Sequence, residues 1–301
     1  MGGVIILLLF LVVGFFSKES GLVHKRHSAL LNKVIIYFFI PLITLLNIPE
    51  LELSIGLLWL SISPFLVFFF GWIYFSIAGK QMKFETESTQ ALILTGGISS
   101  TSFVGFPIFE SLYGDLGLSY GVLLSMGGTI LVFNTVGMGL LFKYSNNALS
   151  FTKVMKRILT FFPFLIFVLA LALNLINVTL PILAKEIISL LVSPFSAVAL
   201  LAIGMQVELK SFKNLKRELI VGQSYKLLVA PIIIYLTGRL FYEPSNLIFQ
   251  IAVLGSAIGS MNAIAFMTAD KNIKPNLAIA MPAIGIPLSI LSLFVIYFII
   301  N

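Results

Sequence analysis

Two clusters of small polar residues interrupt apolar segments long enough to span a bilayer. The first reads Gly96-Gly97-Ile98-Ser99-Ser100-Thr101-Ser102-Phe103-Val104-Gly105-Phe106-Pro107, and the second, Gly255-Ser256-Ala257-Ile258-Gly259-Ser260-Met261-Asn262, begins 159 positions later. A bilayer core offers no water to a freed N–H or C=O, so non-helical backbone survives there only where it lines a cavity or the protein interior. Breaks that recur in corresponding segments of two halves point to a substrate site near the midplane. Ser99, Ser100, Thr101, Ser102, Ser260 and Asn262 would bring hydroxyls and an amide to that site, with Gly96, Gly97, Gly105, Pro107, Gly255 and Gly259 forming the backbone around it. Pro107 suits the first position of a new half-helix, where its missing N–H costs nothing; Gly114 can close that half-helix, and Asn262 suits an N-cap. Two half-helix N-termini would then face inward, each with about half a positive charge and free donors, an arrangement suited to a carboxylate. The competing structural reading is that small residues let helices approach closely, as Gly255-x-x-x-Gly259 could.

Lys226 lies midway along another apolar segment. A lysine at the bilayer centre costs about 2.5–3.5 kcal/mol on insertion scales and marks function by default. It could attract an anion or fill a cation's place beside the broken segments; otherwise it snorkels to the interface along its own stem. All 12 acidic residues fall in loops or at segment ends, Glu110 and Asp270 nearest the breaks, so nothing supports a carboxylate proton relay or an aspartate-based sodium site. A sodium site made of carbonyls, hydroxyls and amides remains open. Asn134 and Gln223 are secondary polar candidates, read as interhelical hydrogen-bonders. No cofactor is implied. His24 and His27 flank Lys25 and Arg26 in a basic loop that reads as solvated rather than metal-binding. There is no G-x-x-x-x-G-K-[ST], and the one buried ionisable group has no general-base partner in view, so the chain does not read as an enzyme.

The segments that must position these residues are legible in composition. With 59% hydrophobic and 10% charged residues over 301 positions and a mean hydropathy of +1.07, the chain is not a soluble domain, for which a charged share of about 25% is usual. It divides into ten apolar spans, 2–17, 33–49, 55–78, 89–111, 118–142, 158–176, 187–207, 214–238, 246–269 and 277–300. The first has no basic stretch ahead of it and no small-x-small cleavage site before Lys18, so it reads as a retained helix. Without cysteine there are no disulfides. The net charge of +7 does not suggest nucleic acid, because 16 of the 19 basic residues fall in alternate loops. By the positive-inside rule both termini lie outside the cytoplasm of a multi-pass protein in the cell (inner) membrane. Shifting the chain by 159 superposes the first five spans on the last five. An odd number of spans per half demands opposite insertion, so the expected fold is all-α, ten transmembrane helices in a 5+5 inverted repeat with broken helices four and nine. The halves are 1–143 and 158–301, joined by a cytoplasmic linker at 144–157.

These features together resemble the auxin efflux carrier family in its short prokaryotic form, over nearly the whole chain. Members typically read G-N-T-G-F-x-G-x-P-L followed by L-x-G, and here Ser99 to Ile108 and Leu112-Tyr113-Gly114 stand in register. Ile40-Pro41-Leu42, Leu201-Ala202-Ile203-Gly204, Leu227-Leu228-Val229-Ala230-Pro231 and Asn262-Ala263-Ile264-Ala265-Phe266 add supporting matches. Two positions depart: the family's carboxylate-holding asparagine falls at Ser100, and the usual proline of span nine falls near Ile258. The resemblance implies a fold shared with bile-acid/sodium symporters, with scaffold helices 1, 2, 6 and 7 and transport helices 3–5 and 8–10 containing the crossover. The resulting expectation is a secondary transporter that exports a small organic anion by an elevator-like mechanism. Its partners would be that anion and the lipid bilayer, not nucleic acid, with a homodimer left open. A sodium-coupled organic-anion symporter and a non-transporting membrane sensor or assembly factor are the alternatives.

Overall fold

A computed structural model describes residues 2–23, 25–145, 151–206 and 213–301. His24, Glu208, Lys210 and linker positions 146–150 lie outside them. The described chain is helical throughout. Its one extended pairing is an isolated antiparallel bridge between Ser99 and Ser260. Six helical runs are long and apolar enough to cross a membrane: Arg26–Asn47, Ile55–Met82, Thr101–Tyr144, Ile182–Gly204, Lys216–Gly238 and Pro275–Ile300. Two shorter apolar helices, Phe162–Leu175 and Leu247–Ala257, accompany them. The 44-residue run Thr101–Tyr144 is not one straight rod, because Gly114 takes φ 65° and ψ −153° within it. A helix, Phe151–Thr160, begins within the segment read as a linker and runs past its expected end at 157.

Proline shapes several of these helices in a regular way. Pro41, Pro107 and Pro231 each stand second after a π-helical turn, at Ile35–Phe39, Thr101–Gly105 and Tyr225–Val229 respectively. A proline ring clashes with the carbonyl four residues back and donates no hydrogen bond to it. Widening the preceding turn to five-residue periodicity relieves that clash without ending the helix.

The chain forms two compact units. One comprises Met1–Ile55, Ser102–Val122 and Ile158–Val207. Its aromatic core centres on Phe195, whose ring lies 5.8 Å from Phe39 and 6.1 Å from Phe106. Where the helix ending at Asn47 stops, Asn174 Nδ2 donates to the carbonyls of Ile48 at 2.8 Å and Leu51 at 2.7 Å, answering acceptors that the turn leaves free. The other unit comprises Gly56–Thr101, Leu123–Arg157 and Glu208–Asn301. Tyr225 is fully buried there, its ring 5.0 Å from that of Phe75 and its hydroxyl donating to Val67 O.

Polarity is arranged inside out. Leu190, Leu236 and Leu291 are more than half exposed, while Thr95, Ser125, Ser260, Ser289 and Lys226 are buried. An apolar outside with hydroxyls and a lysine within is what a lipid solvent selects.

Candidate functional site

The Thr86–Gly96 helix stops where Gly97, Ser99 and Ser100 follow, and the Leu247–Ala257 helix stops at Ile258, which is extended at φ −66° and ψ 136°. The freed backbone of one break is answered by the other. Ser100 N–H donates to Gly259 O, and Met261 N–H donates to Ile98 O, each at 2.9 Å. Ser99 and Ser260 face each other between these bonds. Every residue of the bridge from Ile98 to Thr101 is buried, as are Gly259 and Ser260. This pairing is how two unwound segments survive together without water.

Gly259 is where the backbone comes closest. A Cβ there would sit 2.7 Å from Gly285 C and Ile286 N and 2.8 Å from Gly285 O. The close-approach reading of the small residues therefore holds for Gly259, which lets the bridge lie directly on the Pro275–Ile300 helix.

Lys226 reaches the same place. It stands ten residues into the 23-residue Lys216–Gly238 helix, about 15 Å along its axis at 1.5 Å per residue. Its side chain does not snorkel. Nζ is held inside, donating to Ser99 Oγ at 2.7 Å, and the residue has 0% exposure. Among the described residues no carboxylate pairs with it. The π-helical turn forced by Pro231 contains Lys226, and the buried Tyr225 beside it pins that turn to the Ile55–Met82 helix.

Two further hydroxyls at the bridge, Thr101 Oγ1 and Ser260 Oγ, are buried without a hydrogen-bond partner among the described residues. Thr101 and Ser99 line a small cavity together with Ser63, Thr129 and Ser256. At about 10 Å³ it has room for roughly one water. Ser63 and Thr129 escaped the sequence reading. The only signals for them were Pro64 inside the Ile55–Met82 helix and the pair Gly127-Gly128, whose contact with Pro64 seats that helix against the turn carrying Thr129.

The remaining predicted residues are placed less uniformly. Asn262 opens its helix at the first position, and the residue in cap position is Met261 with φ −71° and ψ 127°, so the expected asparagine cap is displaced by one residue. The bridge bond from Met261 N–H holds that residue extended. Gln223 Nε2 donates to Met281 O at 3.0 Å on another helix, while Oε1 has no partner among the described residues. Asn134 Nδ2 donates to Ile130 O at 2.9 Å within its own helix, not to a neighbour, because a wide turn there leaves a carbonyl in reach. Ser99, Ser100, Thr101, Ser260, Asn262, Lys226, Gly96, Gly97, Gly255 and Gly259 belong to one compact unit, whereas Ser102, Gly105 and Pro107 belong to the other. In that second unit Glu110 Oε2 accepts from Ser196 Oγ at 2.6 Å.

Chemically, the bridge offers hydroxyls, the Lys226 side-chain nitrogen and the buried ends of two helices, and among the described residues no nucleophile–base pair. A family model described as "Membrane transport protein" matches residues 1–297. An uncharacterized transporter of Methanothermobacter thermautotrophicus is 22% identical over 294 residues, covering 96% of this chain and 95% of that protein. The uncharacterized transporter YfdV of Escherichia coli K12 is 22% identical over 271 residues, 86% of this chain and 84% of YfdV. The uncharacterized transporter MJ1031 of Methanocaldococcus jannaschii is 29% identical over 143 residues, and this match spans just under half of that relative, 46%. With a broken, buried polar bridge inside an apolar helical protein and a family match along almost all its length, the chain is a multi-pass membrane transporter, not an enzyme, and belongs to the membrane transport protein family, the auxin efflux carrier family.

Proposed function

We propose that this transporter exports a small organic anion, a carboxylate, across the cell membrane by alternating access. The observation that carries the reading is the convergence of a buried, carboxylate-free ammonium, Lys226, on the backbone bridge between two broken helices. The positive end of the Asn262–Asp270 helix would hold the negative group. Ser99, Ser100, Thr101, Ser260 and Asn262 would contact the rest of the solute, and Lys226 would bias the site towards anions. An inside-negative potential drives anion efflux at about 2.3 kcal/mol per charge per 100 mV, so no coupling ion is required.

The architecture proposed for this is the ten-helix 5+5 inverted repeat, with both termini outside the cytoplasm and crossover helices four and nine. The antiparallel pairing of segments 159 positions apart in sequence is its main support. The cavity beside Ser99, at about 10 Å³, takes about one water, so an organic anion enters only as the surrounding helices rearrange.

Ligand-induced thermal stabilisation of the purified protein tests the reading, using a panel of small carboxylates and their neutral analogues with and without sodium. Stabilisation by carboxylates alone, without sodium, is the expected result. Stabilisation only with sodium would replace export by sodium-coupled symport. Indifference to every carboxylate would favour a membrane sensor or assembly factor.

A further inference from the structure

The Thr86–Gly96 and Leu247–Ala257 helices both run into the bridge with their C-terminal ends. Each such end carries about half a negative charge from carbonyls that lack intrahelical donors. In transporters built on broken helices, such ends and the unwound carbonyls beside them are where coupling cations are coordinated. This chain brings its own cation to that place. Lys226 Nζ donates to Ser99 Oγ, in the bridge itself, at 2.7 Å. The Leu247–Ala257 and Pro275–Ile300 helices packed against the turn of Lys226 contain no charged residue. The acid of its own helix, Glu218, lies eight residues back in the first turn, so the partial charges of the two helix ends are the negative charge that the bridge presents to this ammonium. The neighbouring cavity, with Thr101 Oγ1 unpartnered, has room for about one water-sized species.

We infer that Lys226 is a resident cation: it neutralises the two helix ends as a bound alkali ion would, making the carrier independent of sodium and potassium, and its removal leaves a site for such an ion. The inference rests on the carrier reading for its purpose, but its test needs no organic anion. A bound Na⁺ would take oxygen ligands: Ser99 Oγ, which the ammonium's removal would free, and Thr101 Oγ1, which lines the same cavity as Ser99.

The test is the melting temperature of the purified full-length protein in sodium, lithium, potassium and N-methylglucamine chlorides at equal ionic strength, with no carboxylate present. Wild type is expected to melt at the same temperature in all four salts. Lys226→Gln is expected to melt lower in N-methylglucamine and to regain a few degrees, saturably, in sodium or lithium. Adding Ser99→Ala to that variant should abolish the regain. Ser99→Ala alone, which keeps the positive charge, should stay indifferent to the cation and serves as the folded control. A saturable sodium or potassium response of wild type or of Ser99→Ala overturns the inference, and so does a Lys226→Gln protein that responds to no cation or is recovered in none of the salts. A sodium response of wild type would leave anion binding standing and point to symport, so the two readings fail separately.

Discussion

Lys226 Nζ and Ser99 Oγ, 127 positions apart in sequence, lie 2.7 Å apart in the buried interior, at the point where two broken helices pair backbone to backbone. The contact joins the fully buried lysine of the described chain to a place where two of its helices stop. Removing the acceptor leaves a desolvated ammonium without a hydroxyl, and a hydrogen bond to a charged group is worth about 1.5–3 kcal/mol. Ser99→Ala should therefore lower thermal stability by that order while inserting normally. A melting curve in detergent superimposable on wild type would contradict the contact.

Gly259 should tolerate no side chain. A Cβ would lie 2.7 Å from backbone atoms of Gly285 and Ile286, and backbone cannot swing aside. Gly259→Ala is expected to lose about 1–3 kcal/mol through overpacking. Gly139 makes a matched control, because a Cβ there meets nothing within 4 Å. Gly139→Ala should be neutral or slightly stabilising, by about 0.4–1 kcal/mol. Equal melting temperatures for the two variants would refute the close approach.

Gly114 holds φ 65° and ψ −153°, a conformation open almost only to glycine. Gly114→Ala should cost about 1–3 kcal/mol, or straighten the break in the Phe106–Val122 helix. Unchanged stability together with unchanged transport would show that the break is dispensable.

Asn262 opens the helix on the far side of the bridge and is proposed to contact the solute. Asn262→Leu is accordingly expected to reduce transport while leaving membrane insertion intact. Full transport in this variant would remove Asn262 from the site.

Much of this was readable in the residues. Glycine, serine and threonine at membrane depth are costly unless backbone is meant to open there, so the two breaks showed directly in the apolar runs, as did the all-helical, membrane-spanning character. The partner of Lys226 was not readable, because a lone lysine with no carboxylate nearby has no complementary letter to find; Ser99 is one of many serines until the fold brings it close. Ser63 and Thr129 were hidden for the same reason, since hydroxyls spaced along separate helices converge only through packing. Asn262 was misplaced by one residue as a cap, because the choice between it and Met261 is made by the bridge bond to Ile98, a tertiary contact. Asn134 was expected to reach another helix and instead donates to the Ile130 carbonyl, four residues back on its own helix.

The most direct test of the account is flux in proteoliposomes. Labelled small carboxylates would be followed under an imposed membrane potential, in sodium-free buffer, for wild type and Asn262→Leu. The account predicts protein-dependent carboxylate movement whose direction follows the potential, persists without sodium and falls sharply in the variant. Movement that needs sodium, or that is the same in Asn262→Leu as in wild type, or no movement of any carboxylate by a protein that is folded and inserted, would contradict it.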